Sequence, residues 1–298
     1  MTLVWGTNYS IVKHAFNEID PQAFNAVRLV VSSTVFLAAM AAVRRLGPAS
    51  EGRFASVLYT PSAMDRGDAV GLLGLAIVGT SLYQYWFVGG LAKTSVANAA
   101  LIAASAPVMI ALMSAAIGEE RVAKAHWFGA LLSLVGIYIV VGRGVHVGGK
   151  TWVGDLMMFG AVCCWAIYTL GARPLMTRHS PLAVTGISMA IGTVLYLPAV
   201  LPHILAVAWD RIAVTTWVVM VYSAVFALCI SYTIWYAAVR EIGSARTSVY
   251  SNLVPVVAMV TATVFLHEPL GVRQMLGAAA VLVGVALTRV RLVNPNPE

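Results

Sequence analysis

Trp5, Asn8, Tyr9 and Val12 fall at the spacing that sets side chains on one face of a helix. Trp165, Tyr168, Thr169 and Ala172 repeat that spacing later in the chain. Four further groups belong with them: Tyr83, Gln84 and Trp86; Asn98, Ser105 and Met109; Tyr232, Trp235 and Tyr236; and Ser248, Ser251, Asn252 and Met259. Aromatic faces interleaved with neutral amide and hydroxyl tips make no bonds, but they stack a flat or apolar body and hydrogen-bond a polar head. The binding set drawn from them is Trp5, Asn8, Tyr9, Tyr83, Asn98, Ser105, Trp165, Tyr168, Tyr232, Ser251 and Asn252. No nucleophile–base pair and no His/Asp/Glu cluster accompanies them, so no catalytic residue, metal or cofactor is expected. Trp and Tyr also populate membrane interfaces, and that reading suits Trp86, Trp235 and Tyr236, which stand near segment ends.

Charge is scarce around these groups. Arg28 stands seven residues past Pro21, about 10 Å into its helix at a 1.5 Å rise. It suits a substrate carboxylate, or alternatively snorkels outward or ties its helix to neighbouring carbonyls. Lys13 and His14 belong to a solvated rim or a gate. Asp68, Glu119, Glu120, Asp155 and Glu268 all fall at segment ends. No carboxylate therefore reaches mid-membrane, which disfavours a buried proton relay and favours facilitated diffusion or exchange. Glu268 before Pro269 reads as a helix start. Gly144 to Thr151, GVHVGGKT, matches the phosphate-loop pattern, but it follows an apolar helix where that loop needs a strand. ATP binding is not expected.

The elements that must position these residues are set by composition. Of 298 residues 60% are hydrophobic and 10% charged, and the mean hydropathy is +0.84. Soluble domains carry about 25% charged residues, so the solvent here is lipid. About 20 residues cross the apolar layer. Ten segments qualify, near 2–19, 21–43, 68–91, 95–117, 124–142, 152–172, 181–201, 213–236, 245–266 and 270–290. The link from Arg44 to Gly67 reads as a loop. Lys and Arg stand about two to one on the side of Arg44, Arg173 and Arg240 over the side of Lys93, Lys150 and Arg211. That bias sets both termini in the cytoplasm and removes nucleic acid as the reason for the +7 charge. No signal peptide is expected from the opening residues MTLVWGTNYS. Cys163, Cys164 and Cys229 fall inside segments as packing residues.

An internal repeat organises the segments. At an offset of 148, Ala97 meets Ala245, Pro107 meets Pro255, Glu120 meets Glu268, Gly129 meets Gly277 and Gly136 meets Gly284. Earlier the offset is 160, so that Trp5 meets Trp165 and Pro21 meets Pro181. The expected units are a first repeat over 1–142, a linker over 143–151 and a second repeat over 152–298. Five segments is an odd number, so the second repeat enters from the opposite side and the two are inverted. That architecture is common in secondary transporters, with the substrate at the repeat interface. Pro107 and Pro255 each free the carbonyl four residues back, that of Ala103 and that of Ser251. In lipid such a carbonyl must face protein or a wet cavity, so segments 4 and 9 read as bent walls of one cavity. Small residues at Gly129, Ser133, Ala280 and Gly284 suit close helix contact within the chain or between copies, and the oligomeric state stays open.

The stretches WGTNY, PQAFNAVRL, ANAALIAASAPVMIALMSAAIGEE and REIGSARTSVYSNLVPVVAMVTATVFLHEPLGVRQMLGAAAVLVGV resemble the drug/metabolite transporter superfamily, in its EamA-type ten-helix branch. The resemblance covers nearly the whole chain. It implies a multi-pass protein of the bacterial inner membrane, in which segments 5 and 10 are peripheral and segments 1, 3, 4, 6, 8 and 9 surround the cavity. Many such carriers export amino acids. The expected activity is ATP-independent export of small metabolites by alternating access, amino acids with aromatic or large apolar side chains first. The alternatives are a broad drug or metabolite exporter, or a lipid-handling membrane protein.

Overall fold

Proline and a capping oxygen set where the second and seventh segments begin. Asp20 Oδ1 accepts from the backbone N–H of Gln22 and Ala23, and Pro21 opens the helix Pro21–Leu46. Ser180 Oγ accepts from Ala183 N–H, and Pro181 opens Pro181–Ala199. Proline tolerates the first turn because its missing N–H has no partner there in any case. Asp65 and Asp68 start Arg66–Lys93 with a reciprocal capping box.

The computed structural model describes residues 1–46, 53–60, 62–118, 124–141, 151–257 and 271–288. Among them the regular structure is all helical. Six helices are long and apolar enough to cross a membrane: Pro21–Arg45, Arg66–Lys93, Asn98–Ala116, Trp152–Leu175, Pro181–Ala199 and Val214–Ile242. Leu3, Val70, Val194, Leu205, Val214 and Val272 project outward. In a membrane protein that apolar exterior meets lipid.

Several boundaries depart from the sequence reading. The first helix is Thr2–Ala15 and ends in turns before Pro21. The link after Leu46 contains a short helix, Arg53–Leu58, where a loop is expected. It is docked by Ser180 Oγ donating to Leu58 O and by Arg240 donating to Ser56 O and Oγ. The eighth helix runs on to Ile242, where Gly243 breaks it at φ 89°.

Two helices carry a wide turn at matching places. Arg66–Lys93 is π-helical over Ala76–Leu82, and Val214–Ile242 over Ser223–Ile230. Ser81 Oγ reaches Ala76 O and also Gly192 O on a neighbouring helix. Ser231 Oγ reaches Phe226 O. A π turn advances the register by one residue, which re-aims everything downstream of it. Here that means Tyr83, Gln84 and Phe87, and Tyr232.

The prolines also occupy matching places, and the structure breaks the helix before each. Val96–Ala103 stops, Ala104 and Ser105 turn, and Ala106–Ala116 begins with Pro107 in its first turn. Ser244–Val249 passes through a 3₁₀ turn at Tyr250–Asn252 before Pro255. The outer part of that segment, with Met259, Glu268 and Pro269, lies outside the described residues, as do Glu119, Glu120 and 144–150 of the phosphate-loop match.

Lys124–Val141 and Val272–Thr288 pack on each other within one chain. A methyl on Gly136 would come within 2.7 Å of Gly277 O, and one on Gly284 within 2.5 Å of Gly129 O. The small residues of segments 5 and 10 therefore serve contact inside the chain. Trp152–Leu175 sits centrally and is the most buried of the long helices.

Candidate functional site

Trp165, near the middle of Trp152–Leu175, gathers the aromatic residues around it. Its ring stacks on Tyr232 at 5.2 Å between centroids and meets Tyr83 and Trp235 at 5.3 Å. Trp5 comes edge-on at 5.9 Å, its indole N–H donating to Ala227 O at 3.0 Å. The rings of Trp5, Tyr83, Trp165 and Tyr232 form the floor of a cavity of about 140 Å³. A cavity of about 150 Å³ holds one benzene, so the space suits one ring-sized body at a time.

The wall is drawn from seven segments. It takes Trp5, Asn8, Tyr9 and Ser10 from the first helix and Arg28 from the second. Tyr83, Gln84 and Phe87 follow from Arg66–Lys93, and Val96, Ala100, Ala103 and Ala106 from the broken fourth segment. Met158, Ala161 and Val162 stand above Trp165. Leu228, Tyr232, Ser251, Val254 and Pro255 close the circuit. The cavity extends from the aromatic floor toward the end of the bundle that carries Lys13 and Lys93. Below the floor, Tyr168, Trp235 and Tyr236 fill the core completely.

Of the binding set, Trp5, Asn8, Tyr9, Tyr83, Trp165, Tyr232 and Ser251 stand on this wall, joined by Pro255 of the two prolines. Four do not, each for a visible reason. Asn98 donates to both carboxylate oxygens of Asp155, at 3.0 and 3.2 Å. Ser105, in the turn before Pro107, donates to Ile102 O and faces an apolar crevice with Leu134, Tyr138 and Phe159. Tyr168 shares a hydrogen bond with Ser188 Oγ at 2.8 Å, behind the floor. Asn252 is 0% exposed, with neither amide atom bonded among the described residues. Pro107 is buried off the wall, although Ala103, four residues before it, is on it. Trp235 and Tyr236, which the sequence reading places in the interfacial belt, are instead core residues, since both are fully buried in the aromatic cluster.

Arg28 is the lone cation of the wall. It is 2% exposed, so it does not snorkel outward. Its guanidinium lies 5.7 Å above the Phe24 ring, and Nη1 donates to Asn25 Oδ1 at 3.2 Å. Among the described residues Nε has no partner and no carboxylate pairs with the guanidinium. A buried charge without a counter-ion is expensive. An anion entering the cavity relieves that cost.

Lys13 is neither free rim nor cavity. Its ammonium caps the end of the third helix through Leu91 O, Ala92 O and Thr94 O. Cations favour helix C-termini. Ser10, Phe87, Met158, Ala161 and Leu228 were not anticipated, and no composition or spacing cue marks small and aliphatic wall residues. Among the described residues no cluster of His, Cys, Asp and Glu could hold a metal.

The EamA-like transporter family model matches residues 1–142 and 152–290. The chain is 28% identical to the uncharacterized transporter YyaM of Bacillus subtilis over 93% of its length and 92% of that protein's. It is 28% identical to a probable terminal-alkyne amino-acid exporter of Streptantibioticus cattleyicolor, over 74% and 73%. It is 23% identical to a probable amino-acid metabolite efflux pump of Salmonella typhimurium, over 96% and 91%. A solved crystal structure, 20% identical, superposes with a TM-score of 0.74 over 97% of this chain and 94% of that one, and so shares the fold.

Proposed function

We propose that the chain, which belongs to the EamA-like transporter family, carries amino acids with aromatic or large apolar side chains outward across the bacterial inner membrane. That it is a multi-pass membrane transporter follows from the family and its apolar helices. The observation that carries the substrate reading is Arg28, a buried cation with no carboxylate partner among the described residues, on the wall of a ring-sized aromatic cavity. A carboxylate completes Arg28, and the rings of Trp5, Trp165 and Tyr232 stack the side chain. The names of two relatives, an amino-acid exporter and an amino-acid metabolite efflux pump, point the same way.

The proposed architecture is ten spans in two inverted repeats of five, with both termini cytoplasmic. The matched π turns, the matched prolines and the reciprocal Gly136 and Gly284 contacts support it. With that topology the floor closes the cytoplasmic side and the cavity leans outward. Exchanging the roles of the halves opens the other side, so transport proceeds by alternating access, without ATP.

Counterflow in proteoliposomes tests the reading. Vesicles loaded with one unlabelled amino acid are given labelled phenylalanine, threonine or glutamate, with no ATP and no pH gradient. Internal phenylalanine should drive uptake of labelled phenylalanine, with threonine and glutamate far behind. Folded protein giving no counterflow with any amino acid would overturn it.

A further inference from the structure

Gln84 is the second buried group of the wall whose hydrogen bonding is incomplete. It is 2% exposed. Its amide Nε2 donates to the Tyr232 hydroxyl at 3.2 Å, while its carbonyl Oε1 has no partner among the described residues. Donation to Tyr232 uses one of the amide's two N–H groups and holds the group in place. Its carbonyl is then a fixed, open acceptor in a site otherwise rich in donors. The neighbouring acceptor, Asn8 Oδ1, is already taken by Ser223 Oγ at 2.6 Å. Arg28, Gln84 and Tyr232 all stand on the wall of the one ring-sized cavity, so a single small molecule can face both the cation and the acceptor.

We infer that Gln84 is the residue that reads the α-ammonium group, so that Arg28 and Gln84 together select an α-amino acid over the same acid without its amine. The inference rests on the substrate reading above. A carboxylate alone satisfies Arg28 and leaves Gln84 Oε1 buried and empty. An α-amino acid fills both, and a hydrogen bond from a charged donor is worth roughly one to two factors of ten. An amino-acid amide offers the ammonium and fails at Arg28. The site thus recognises the head group by one cation and one carbonyl, with no carboxylate of its own, and the rings are left to choose the side chain. A buried acceptor left unpaired is also how a site rejects an analogue that lacks the matching donor.

The test is competition against labelled phenylalanine on purified wild type, Gln84→Leu and Gln84→Met, the second keeping the length of the side chain. The competitors are phenylalanine, 3-phenylpropionate and phenylalaninamide. Wild type should prefer phenylalanine to 3-phenylpropionate by at least about tenfold. Both variants should lose that preference while binding 3-phenylpropionate as wild type does, and phenylalaninamide should stay weak throughout. Equal wild-type affinity for phenylalanine and 3-phenylpropionate would overturn the inference. So would variants of native thermal stability that keep the preference, or that lose both ligands alike. Wild type that binds neither acid would sink the substrate reading as well, whereas variants that still discriminate sink the role of Gln84 alone.

Discussion

Gly136 and Gly284 stand 148 positions apart and make the same contact from opposite sides. Gly136 presses on Gly277 and Val281, and Gly284 presses on Gly129 and Ser133, so subtracting 148 from one pair of partners gives the other. Ser133 Oγ adds a hydrogen bond to Val281 O. Residue numbers rise along one helix as they fall along the other, so the two run antiparallel. A contact that maps onto itself is the mark of a two-fold relation, as in symmetric dimers.

At both glycines the obstacle to a side chain is backbone, which cannot step aside. Gly136→Ala and Gly284→Ala should each lower stability by about 1–3 kcal/mol through overpacking. The double variant should cost less than the sum, because one separation of the helices relieves both. Gly74→Ala, which meets nothing within 4 Å, should be neutral or stabilising. Thermal midpoints in detergent decide this, and an unchanged midpoint for either close-contact variant refutes the tight pairing.

Arg28→Met separates function from stability. Its guanidinium has lost its water and among the described residues gains no carboxylate. A hydrophobic replacement of similar length should therefore leave the thermal midpoint level or raise it, while phenylalanine binding falls by more than about tenfold. A midpoint several degrees lower would make Arg28 a structural strut.

The Arg178 guanidinium beside Asp65, 2.5 Å away, and the Asp68 backbone N–H hold the Asp65 carboxyl below the usual carboxylate range. A depressed folded-state pKa adds stability above the unfolded value, about 3.9, and loses it as pH falls through the folded value. The thermal midpoint of wild type should therefore exceed that of Asp65→Asn at pH 7, with the gap closing toward pH 3. Asp65 is exposed, so the gap should be small and shrink with salt. A gap that widens on acidification would reverse the sign.

Pro107 and Pro255 follow a turn and a 3₁₀ turn, and the residues four places earlier, Ala103 and Ser251, both stand on the cavity wall. Replacing both prolines by Ala restores two N–H donors and invites continuous helices. Exchange between states should slow more than substrate affinity falls. Wild-type counterflow rates in the folded double variant would remove the prolines from the transport cycle.

Long apolar segments, helix-start prolines and the 148-residue offset were plain in the sequence because lipid and backbone geometry act locally. The aromatic floor was legible too, since Trp5 and Trp165 announce themselves by type and by repeat position. Three things were not. The π turns re-aim Tyr83 and Tyr232 through backbone register, which no side-chain pattern records. The engagement of Asn98 by Asp155 is a tertiary pairing between residues 57 apart. Tyr168 entered the reading as the counterpart of a wall residue, yet a single conformation of an inverted repeat is asymmetric, so a wall residue's counterpart need not stand on the wall: Trp5 and Trp165 both do, whereas Asn8 does and Tyr168 does not.

That asymmetry supplies the sharpest prediction. Asn8 and Tyr9 stand on the wall, and their counterparts at offset 160, Tyr168 and Thr169, are buried beneath the floor. Phe87 stands on the wall, and its counterpart at offset 148, Trp235, is 0% exposed, with its indole nitrogen unpartnered among the described residues. Exchanging the packing of the two halves exposes the second set and buries the first. In protein with Cys163, Cys164 and Cys229 replaced by Ala, Ser10→Cys should react with an impermeant maleimide from one side of the membrane, and Thr169→Cys from the other. A ligand or mutation that raises one reactivity should lower the other in proportion, because both report one two-state equilibrium. Thr169→Cys that stays unreactive from both sides while the protein transports would show that the floor never opens, and with it would go the alternating-access reading.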